Sequence, residues 1–509
     1  MYFTLAISAA SASGCAALTG AALRTDPRVM PIPGPAAIAW RSADERAAVV
    51  RWGGHGAENK GDSVSHAETI RAGSAHAALH AHTGLTRVDP VYVAEPPGAV
   101  VLSDRACWAA AVTGRLNDPD PVMLAAFLNL GYPLGTATPF RGVRALDGTR
   151  SLRVTDGQLT VRAPDAAQPP SPVGDALADA VSSLADAPVP IEVSLTGGKD
   201  SRLIAAALTA AKVPFRARTH GAADHPDVVV AGTIAARLGI EHIVTAPRPP
   251  GTADTADVLA RLRSAVLVSD GMLSAFENVG RPDPVYTTDC VQVGGHGGEL
   301  LRGGYATYAR NAARGAVQFR RLTTRRLGLL RPAVASAYLA SLAPWAARFA
   351  RGPLPALDDF YLANRAGRWS AAARQAYLLR SPLVQPFFDD RVVRSARTVP
   401  LRDRVSGRLH RDLLAGLCPE LADIPLAGRG PASSDWRRGY GADVAAFVRG
   451  YVLDHGSSVF DVVSKRAAER VLSVPHTDHE TVWALATMAA LMSGDWLAAR
   501  GANAGQVPG

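Results

Sequence analysis

The sequence predicts an α+β domain over residues 1–163 followed by an α/β domain over residues 174–509. The stretch Ala163–Pro172 reads APDAAQPPSP, and such a proline-rich spacer cannot enter a helix or a sheet. Short β-prone runs dominate before it. After it, strand and helix patterns alternate and give way to a mainly helical pattern beyond Tyr305. A chain of 509 residues is also long enough for two hydrophobic cores.

The first domain is predicted to be rich in β-structure. Its β-prone runs are short and separated by turn residues, as in an α+β or sandwich-like fold. The opening strand is expected to run into a loop of small residues. The predicted strands are Tyr2–Ser8, Ala99–Leu102, Ala110–Gly114 and Ser151–Thr155, with one helix at Pro121–Asn129.

The second domain is predicted to contain a doubly wound parallel sheet, because strands and helices alternate along the chain. Ligands bind such sheets beyond the carboxyl ends of the strands, so the turns that follow the strands are the places to search for a site. The predicted strands are Ile191–Leu195, Phe215–Thr219, Glu241–Thr245 and Val291–Val293, and the predicted helices are Gly174–Ala185, Ser201–Lys212 and Asp227–Leu238.

The composition narrows the class of protein. Hydrophobic residues make up 48% and charged residues 19% of the chain, which is typical of a globular protein. The net charge of +9 comes almost entirely from arginine, and no basic run is interleaved with aromatic residues, so we expect no nucleic-acid partner. The apolar stretch Val482–Met492 is too short to cross a bilayer, and we expect no membrane segment. Four widely spaced cysteines favour a reducing cytoplasm.

The turn after the strand Ile191–Leu195 has the features of a phosphate-binding loop. Two glycines let an anion approach the backbone, the next helix offers unpaired N–H groups, and two hydroxyls add donors. Asp200 follows Lys199 where a Walker A loop has Ser or Thr, and an acidic residue in such a loop implies Mg²⁺. Alternatively, the glycines only close a turn between strand and helix. The predicted nucleotide-binding residues are Ser194, Leu195, Thr196, Gly197, Gly198, Lys199, Asp200 and Ser201.

The sequence TGGKDS at Thr196–Ser201 resembles the SGGLDS pyrophosphate loop of asparagine synthetases and other N-type ATP pyrophosphatases. The resemblance implies a domain of that fold and ATP as the nucleotide. Those enzymes cleave ATP between the α and β phosphates and join AMP to a carboxylate. The second strand, which ends at Thr219, also resembles that family's nucleotide-binding strand, and we therefore assign Thr219 to the nucleotide site.

A second signature follows the strand Val291–Val293. The stretch Gly294–Tyr305 reads GGHGGELLRGGY and resembles SGEGADELFGGY of asparagine synthetases, which places Gly295 at the nucleotide and Glu299 at a metal-binding aspartate. Asp200 and Glu299 are therefore predicted to hold Mg²⁺. A zinc site of the HxxE type is disfavoured, because adjacent glycines would not hold the required helix.

Three further side chains are predicted to act in catalysis. His296 stands where asparagine synthetases carry a glutamate and β-lactam synthetases a tyrosine, and its imidazole could accept the proton of an attacking amine. The alternative is a histidine that only binds the loop. Arg429, in the stretch LAGRG, would supply the family's late cation for the phosphates. Arg365 shares a predicted helical face with Arg368 and could hold the acyl group or peptide, although an exposed basic face explains both nearly as well.

Two smaller features complete the resemblance. Pro386–Val393 reads PFFDDRVV and is similar to the family's PFLD helix start, so Asp389 is interpreted as an N-cap. In glutamine-dependent asparagine synthetases a cysteine follows Met1, whereas here Tyr2 stands there and cannot replace a thiolate nucleophile. The first domain is therefore expected to be an inactive Ntn-glutaminase-like domain, a pattern shared by lasso-peptide cyclases and β-lactam synthetases.

These features lead to an expected function. The chain is predicted to be an ATP- and Mg²⁺-dependent lasso-peptide cyclase that adenylates an Asp or Glu side chain of a precursor peptide and closes a macrolactam with the N-terminal amine. The resemblance also implies three partners: a linear precursor peptide, a leader-peptide-binding protein and a leader peptidase. The alternatives are a β-lactam synthetase or other small-molecule amide synthetase, and a catalytically silent peptide-binding scaffold.

Overall fold

The structure is a computed structural model of the 509-residue chain. It describes residues 2–24, 36–53, 70–72, 78–163, 169–246, 254–277, 289–309, 311–378, 381–428, 442–455, 458–473, 479–494 and 496.

The first part of the chain forms two antiparallel sheets. A six-stranded sheet has the order β2-β3-β1-β7-β6-β8, and a four-stranded sheet has the order β10-β9-β5-β4. The predicted strands at Tyr2–Ser8, Ala99–Leu102 and Ser151–Thr155 are confirmed. The strands are β1 (Tyr2–Ala9), β2 (Ala36–Arg41), β3 (Ala47–Gly53), β4 (Ile70–Ala72), β5 (Leu79–His82), β6 (Tyr92–Ala94), β7 (Ala99–Ser103), β8 (Val143–Ala145), β9 (Ser151–Thr155) and β10 (Gln158–Arg162).

Three helices accompany these sheets: α1 (Ala12–Leu23), α2 (Ala106–Val112) and α3 (Pro121–Leu130). The loop expected after β1 and the strand expected at Ala110–Gly114 are both wrong, because helix α1 follows β1 and the C-terminal end of helix α2 occupies Ala110–Val112. Alanine-rich stretches favour helix over strand. The hydroxyl of Ser11 also caps α1 by accepting from the Gly14 N–H at 3.1 Å.

The second part contains a five-stranded parallel sheet of order β13-β12-β11-β14-β15. The predicted parallel sheet is confirmed, and its strand order reverses between β11 and β14. The carboxyl ends of those two strands therefore flank the crevice where such sheets bind ligands. The strands are β11 (Ile191–Ser194), β12 (Arg216–His220), β13 (His242–Thr245), β14 (Val291–Val293) and β15 (Leu383–Val384).

Helices make up most of the remainder, as the sequence predicted. Those between the sheet strands are α4 (Val173–Ser182), α5 (Lys199–Ala210), α6 (Pro226–Leu238) and α7 (Thr255–Ser269). After β14 come α8 (Ala312–Thr323), α9 (Pro332–Ser341), α10 (Ala343–Arg351), α11 (Pro353–Phe360), the π-helical segment Tyr361–Ser370, and α12 (Ala371–Leu378). After β15 come α13 (Asp390–Thr398), α14 (Leu401–Val405), α15 (Arg408–Leu417), α16 (Ala442–His455), α17 (Lys465–Ser473) and α18 (His479–Ser493). Helix α13 begins after the N-cap Asp389, as predicted.

Short 3₁₀ turns occupy Ser183–Asp186, Gly298–Arg302, Gly304–Tyr308, Leu327–Leu329, Pro386–Phe388, Pro419–Leu421 and Val459–Asp461. In the described ranges, no helix has both the length and the apolar character that a bilayer crossing requires.

Buried polar contacts connect the first part of the chain with the second. The guanidinium of Arg105, at the start of α2, binds the carboxylate of Asp270 at the end of α7, where both side chains are almost fully buried. The Gly135 N–H donates to Asn364 Oδ1 at 2.8 Å, which fixes the π-helical segment against the first sheets. One side of the crevice is thereby attached to the N-terminal part of the chain.

Candidate functional site

The site lies where the turns after β11 and β14 meet. These strands pair in parallel register, with Val193 opposite Val293, so their following turns leave the same edge of the sheet. The first turn holds the TGGKDS stretch and the second holds GGHGGE. The two signatures predicted from sequence are therefore neighbours in space.

The first turn keeps an anion-binding form. Helix α5 begins after Gly198, and no side chain caps its first N–H groups. These N–H groups lie at the positive end of the helix dipole, where an anion binds favourably. Hydrogen bonds within the turn stabilise it. Thr196 Oγ1 lies 3.0 Å from Ser201 Oγ and accepts from the Gly198 N–H at 3.2 Å. The Gly197 N–H is already used, because it donates to Asp227 Oδ1 at 2.9 Å.

Glycines let the two turns touch. A Cβ atom added to Gly295 would lie 2.7 Å from the Ser201 nitrogen, and one added to Gly298 would lie 2.3 Å from Asp200 Cγ. A Cβ on Gly197 would lie 2.3 Å from the Ala427 Cβ. Only glycine permits these approaches, so the structure places Gly295 and Gly298 as the packing points between the two turns.

Asp200 and Glu299 share one guanidinium. Arg302 Nη2 lies 2.6 Å from Asp200 Oδ2 and 3.3 Å from Glu299 Oε1. The other oxygens are also occupied: His410 Nε2 lies 2.9 Å from Asp200 Oδ1, and the Tyr361 hydroxyl donates to Glu299 Oε2 at 3.3 Å. The two carboxylates predicted to bind metal thus meet in one cluster, and a resident cation bridges them.

These contacts set the charge of the cluster. Burial acts to raise the pKa of the Asp200 carboxyl, but hydrogen bonds and charge from His410 and Arg302 outweigh it, so the pKa lies below its ordinary value. Burial and the Glu299 charge raise the pKa of Tyr361, which keeps its hydroxyl protonated as a donor. Asp200 is therefore ionised at neutral pH.

The carboxylate pair fits Mg²⁺ as part of a shared ligand set. Magnesium in nucleotide sites usually takes one or two carboxylates together with phosphate oxygens and water. Within the described parts of the chain, no group of three or more His, Cys, Asp or Glu side chains could hold a metal ion without such help. A magnesium ion at Asp200 and Glu299 would also compete with Arg302 for the same oxygens.

His296 lies between aromatic side chains. Its ring stacks on Trp369 with a centroid separation of 5.5 Å and tilts against Phe388 at 5.6 Å. Its Nε2 lies 3.1 Å from the buried Ser370 hydroxyl, while part of the residue remains exposed. Burial of the ring is the main cause that lowers the pKa of His296, so the neutral imidazole is favoured.

The π-helical segment separates two arginines that were expected to share a face. Arg365 is half-buried, and its guanidinium lies 3.4 Å from the centroid of the Trp369 ring. Arg368 is 1% exposed and contacts the Ala137 carbonyl and Met272 Sδ. A π-helix has a wider turn than an α-helix, so the α-helical i, i+3 spacing does not hold. Only Arg365 remains at the site.

A pocket opens beside His296. Its volume is about 130 Å³, and its walls include Glu277, Trp369, Ala373 and Leu273 as well as His296. The indole N–H of Trp369 donates to Glu277 Oε1 at 3.3 Å. Trp369 therefore contacts both the histidine and the acidic wall of this pocket.

The remaining predicted residues have the following places. Thr219 is buried at the end of β12, where its hydroxyl donates to the Leu195 carbonyl at 2.8 Å and lies 2.9 Å from His242 Nε2. Leu195 is buried in the core, whereas Ser194 and Lys199 are exposed at the crevice. Arg429 lies outside the described residues.

The described chain before position 429 nevertheless reaches the phosphate loop. The Ala427 N–H donates to the Gly197 carbonyl at 3.1 Å. The buried Arg202 guanidinium donates to the carbonyls of Ile424 and Pro425 and lies 3.5 Å from the Gly197 carbonyl. This segment is therefore attached to the turn after β11.

Sequence reasoning missed several members of the site. Arg302 stands inside the second signature, three positions after Glu299, where its charge was a usable signal. His410, Tyr361 and Glu277 lie outside both signatures and belong to no local motif.

Comparison with known proteins supports the assignment of this region. Residues 172–381, fewer than half of the 509 positions, match the family model described as asparagine synthase. A search of curated proteins finds no match. The matched segment contains both the TGGKDS turn and the Glu299–Arg302 cluster. This match supports an asparagine synthetase-like family for the domain that carries the site, and it indicates an ATP-dependent ligase that forms amide bonds.

Proposed function

We propose that the protein is an ATP- and Mg²⁺-dependent lasso-peptide cyclase. The observation that carries the proposal is the meeting of two turns at the strand-order reversal, with Asp200 and Glu299 facing one cation, Arg302. Adenylation of a carboxylate requires backbone N–H groups that bind the phosphates and, beside them, paired carboxylates that can hold a metal ion.

The metal would be held by Asp200 and Glu299 together with phosphate oxygens of the nucleotide. When bound, Mg²⁺ neutralises charge on the phosphates and on the departing pyrophosphate. Arg302 lies at the same place and contributes a permanent positive charge there. The resemblance to the family's late cation would make Arg429 a second arginine at the phosphates.

The first chemical step joins the substrate to AMP. An oxygen of an Asp or Glu side-chain carboxylate attacks the α phosphorus of ATP, the bond between the α phosphorus and the bridging oxygen breaks, and pyrophosphate leaves. The turn Thr196–Ser201 and the N-terminus of α5 are suited to hold the phosphates during this step. The carboxylate thereby becomes an electrophile.

The second step forms the amide. The N-terminal amine of the same peptide attacks the activated acyl carbon, the bond to AMP breaks, and one amine proton is lost. His296 is suited to accept that proton, because its pKa is lowered and part of the residue is exposed. Because both reacting ends belong to one bound peptide, closure is effectively unimolecular.

In this proposal the N-terminal domain supports one side of the crevice and does not act as a glutaminase. Position 2 is tyrosine, so the cysteine needed to release ammonia from glutamine is absent from that position. We propose that this domain is a degenerate Ntn-glutaminase-like domain. Arg365, stacked on Trp369, is a candidate contact for the peptide.

The proposal includes partners. The substrate is a linear precursor peptide, and a leader-peptide-binding protein and a leader peptidase would prepare it.

The test is a product assay. The protein is incubated with ATP, Mg²⁺ and a linear peptide that has a free N-terminus and one internal Asp or Glu side chain. We expect AMP and a peptide lighter by one water, resistant to Edman degradation because its N-terminus is closed. AMP formation only with small amino acids would point to a small-molecule amide synthetase. No AMP with any carboxylate would contradict both.

A further inference from the structure

We propose that the pocket beside His296 is a binding site for a primary ammonium group on a small residue, with Glu277 as the ion-pair partner. This inference rests on the proposed function and deepens it, because it names the group that recognises the attacking amine. Neither signature from the sequence contains Glu277.

The charge of the pocket favours a cation. Glu277 Oε1 accepts from Trp369, while among the described residues Oε2 has no hydrogen-bond or ion-pair partner. The other charged wall, Arg374, is buried and already bound to Asp89 Oδ1 at 3.2 Å and to Gln385 Oε1 at 3.2 Å. Among the side chains that line the pocket, the unmatched charge is therefore negative.

The size of the pocket favours a small residue. Its volume is about 130 Å³, well below the roughly 300–1,000 Å³ of pockets that take drug-sized ligands. Leu273, Ala373 and the Trp369 ring form its apolar walls. A short residue with an ammonium group fits such a space better than a long or aromatic one.

The position of the pocket connects ammonium binding with deprotonation. Trp369 contacts Glu277 through its indole N–H and contacts His296 by ring stacking, so one side chain fixes both groups. The ammonium binds at Glu277 and loses one proton to solvent. The resulting amine nitrogen attacks the acyl carbon and gives a second proton to His296, while the acyl–oxygen bond breaks and AMP leaves with that oxygen.

The binding test uses the full-length protein and glycinamide as the probe, followed by ligand-observed NMR. We expect wild-type protein to bind glycinamide and not N-acetylglycinamide, which has no ammonium group. Glu277→Gln keeps an oxygen to accept from Trp369 and should weaken glycinamide binding at least tenfold. Ala373→Leu should exclude the probe by filling the pocket. The control Glu469→Gln alters an exposed glutamate on α17 and should bind like wild type.

A second readout separates this inference from the proposed function. Pyrophosphate exchange with a peptide that has an acetylated N-terminus reports adenylation alone, and we expect Glu277→Gln to retain it while ring closure shows a raised KM. Wild-type exchange together with glycinamide binding that is unchanged in Glu277→Gln would overturn the pocket assignment. Absence of exchange in the wild type would instead overturn the proposed function.

Discussion

The proposed phosphate side of the site is the turn Thr196–Ser201 with Glu299, and the proposed amine side is the pocket lined by Glu277, His296 and Trp369. The two sides differ in how their charges are matched. On the phosphate side, every carboxylate oxygen of Asp200 and Glu299 already has a partner. On the amine side, Glu277 keeps one oxygen without a partner among the described residues, and Leu273, Ala373 and Trp369 line the same pocket. The phosphate side must exchange existing contacts when a ligand binds, whereas the amine side offers an unmatched charge. Changes on the first side should therefore affect both chemical steps, and changes on the second side only the later one.

The largest effect is expected from Asp200→Asn. The substitution keeps the shape of the side chain but removes the charge that faces Arg302 and His410. We expect AMP release to fall by about 10³-fold, in line with the loss of one preorganised electrostatic contact at a reacting centre. Chromatography of AMP measures it. Asp224→Asn, at an exposed position, is the matched control. Full AMP release by Asp200→Asn would show that the carboxylate is not part of the reaction.

His296→Ala should separate the two steps. We expect product formation to fall on the order of a hundredfold, because a positioned base is lost. Pyrophosphate exchange should be unchanged, since His296 lies on the amine side. His80→Ala removes an exposed histidine from the four-stranded sheet and serves as the control. An equal loss in both assays would place His296 on the phosphate side instead.

The pH dependence of ring closure tests the role of His296. Burial and the positive charge of Arg365 lower the pKa of His296, while the charges of Glu299 and Asp200 act against this shift. Only the neutral imidazole accepts a proton, so the rate of ring closure should rise with pH through a pKa below about 6.5 and then level off. The rising limb should be absent in His296→Ala. A rising limb below about 6.5 that is the same in wild type and His296→Ala would contradict the assignment.

Arg302→Met tests whether the bridging cation and a metal occupy the same place. Without the guanidinium, Asp200 and Glu299 lose a charged partner, and we expect a loss of unfolding free energy on the order of 2 kcal/mol. Millimolar Mg²⁺ without nucleotide should restore part of this loss in Arg302→Met and change wild type little. Thermal unfolding with and without MgCl₂ measures both effects. Arg302→Lys, which keeps the charge, should behave closer to wild type. Identical magnesium responses in all three proteins would refute the shared position.

The smallest effect is expected from Trp369→Phe. Phenylalanine keeps an aromatic ring for His296 and Arg365 but cannot donate to Glu277. Loss of one hydrogen bond of about 1 kcal/mol predicts roughly a fivefold rise in the KM of ring closure, with exchange unaffected. A rise of the same size in the exchange assay would show that Trp369 also supports the phosphate side.

The phosphate side was predictable because its parts are local. In Ile191–Ser194 and Val291–Val293 β-branched residues alternate with polar ones, and the turns after them carry glycines and polar residues in short stretches. Parallel pairing then brings the two turns together. The sequence therefore indicated the strands, the turns and both carboxylates.

The amine side was not predictable in the same way. Glu277 and Trp369 are 92 positions apart and meet only through tertiary packing. On the phosphate side the same is true of His410, which reaches Asp200 across 210 positions. The sequence around these residues has no periodicity that would predict such contacts. The π-helical segment also changed the outcome for Arg365 and Arg368, because the face assigned from α-helical spacing does not form.

The most direct test is a crystal structure of the protein with Mg²⁺ and α,β-methylene-ATP. We predict the phosphates at the N-terminus of α5 against the turn Thr196–Ser201, the metal at Asp200 and Glu299, and the Arg302 guanidinium moved from Asp200 toward a phosphate oxygen. A nucleotide bound elsewhere, with that turn empty and the contact between Arg302 and Asp200 intact, would contradict the account.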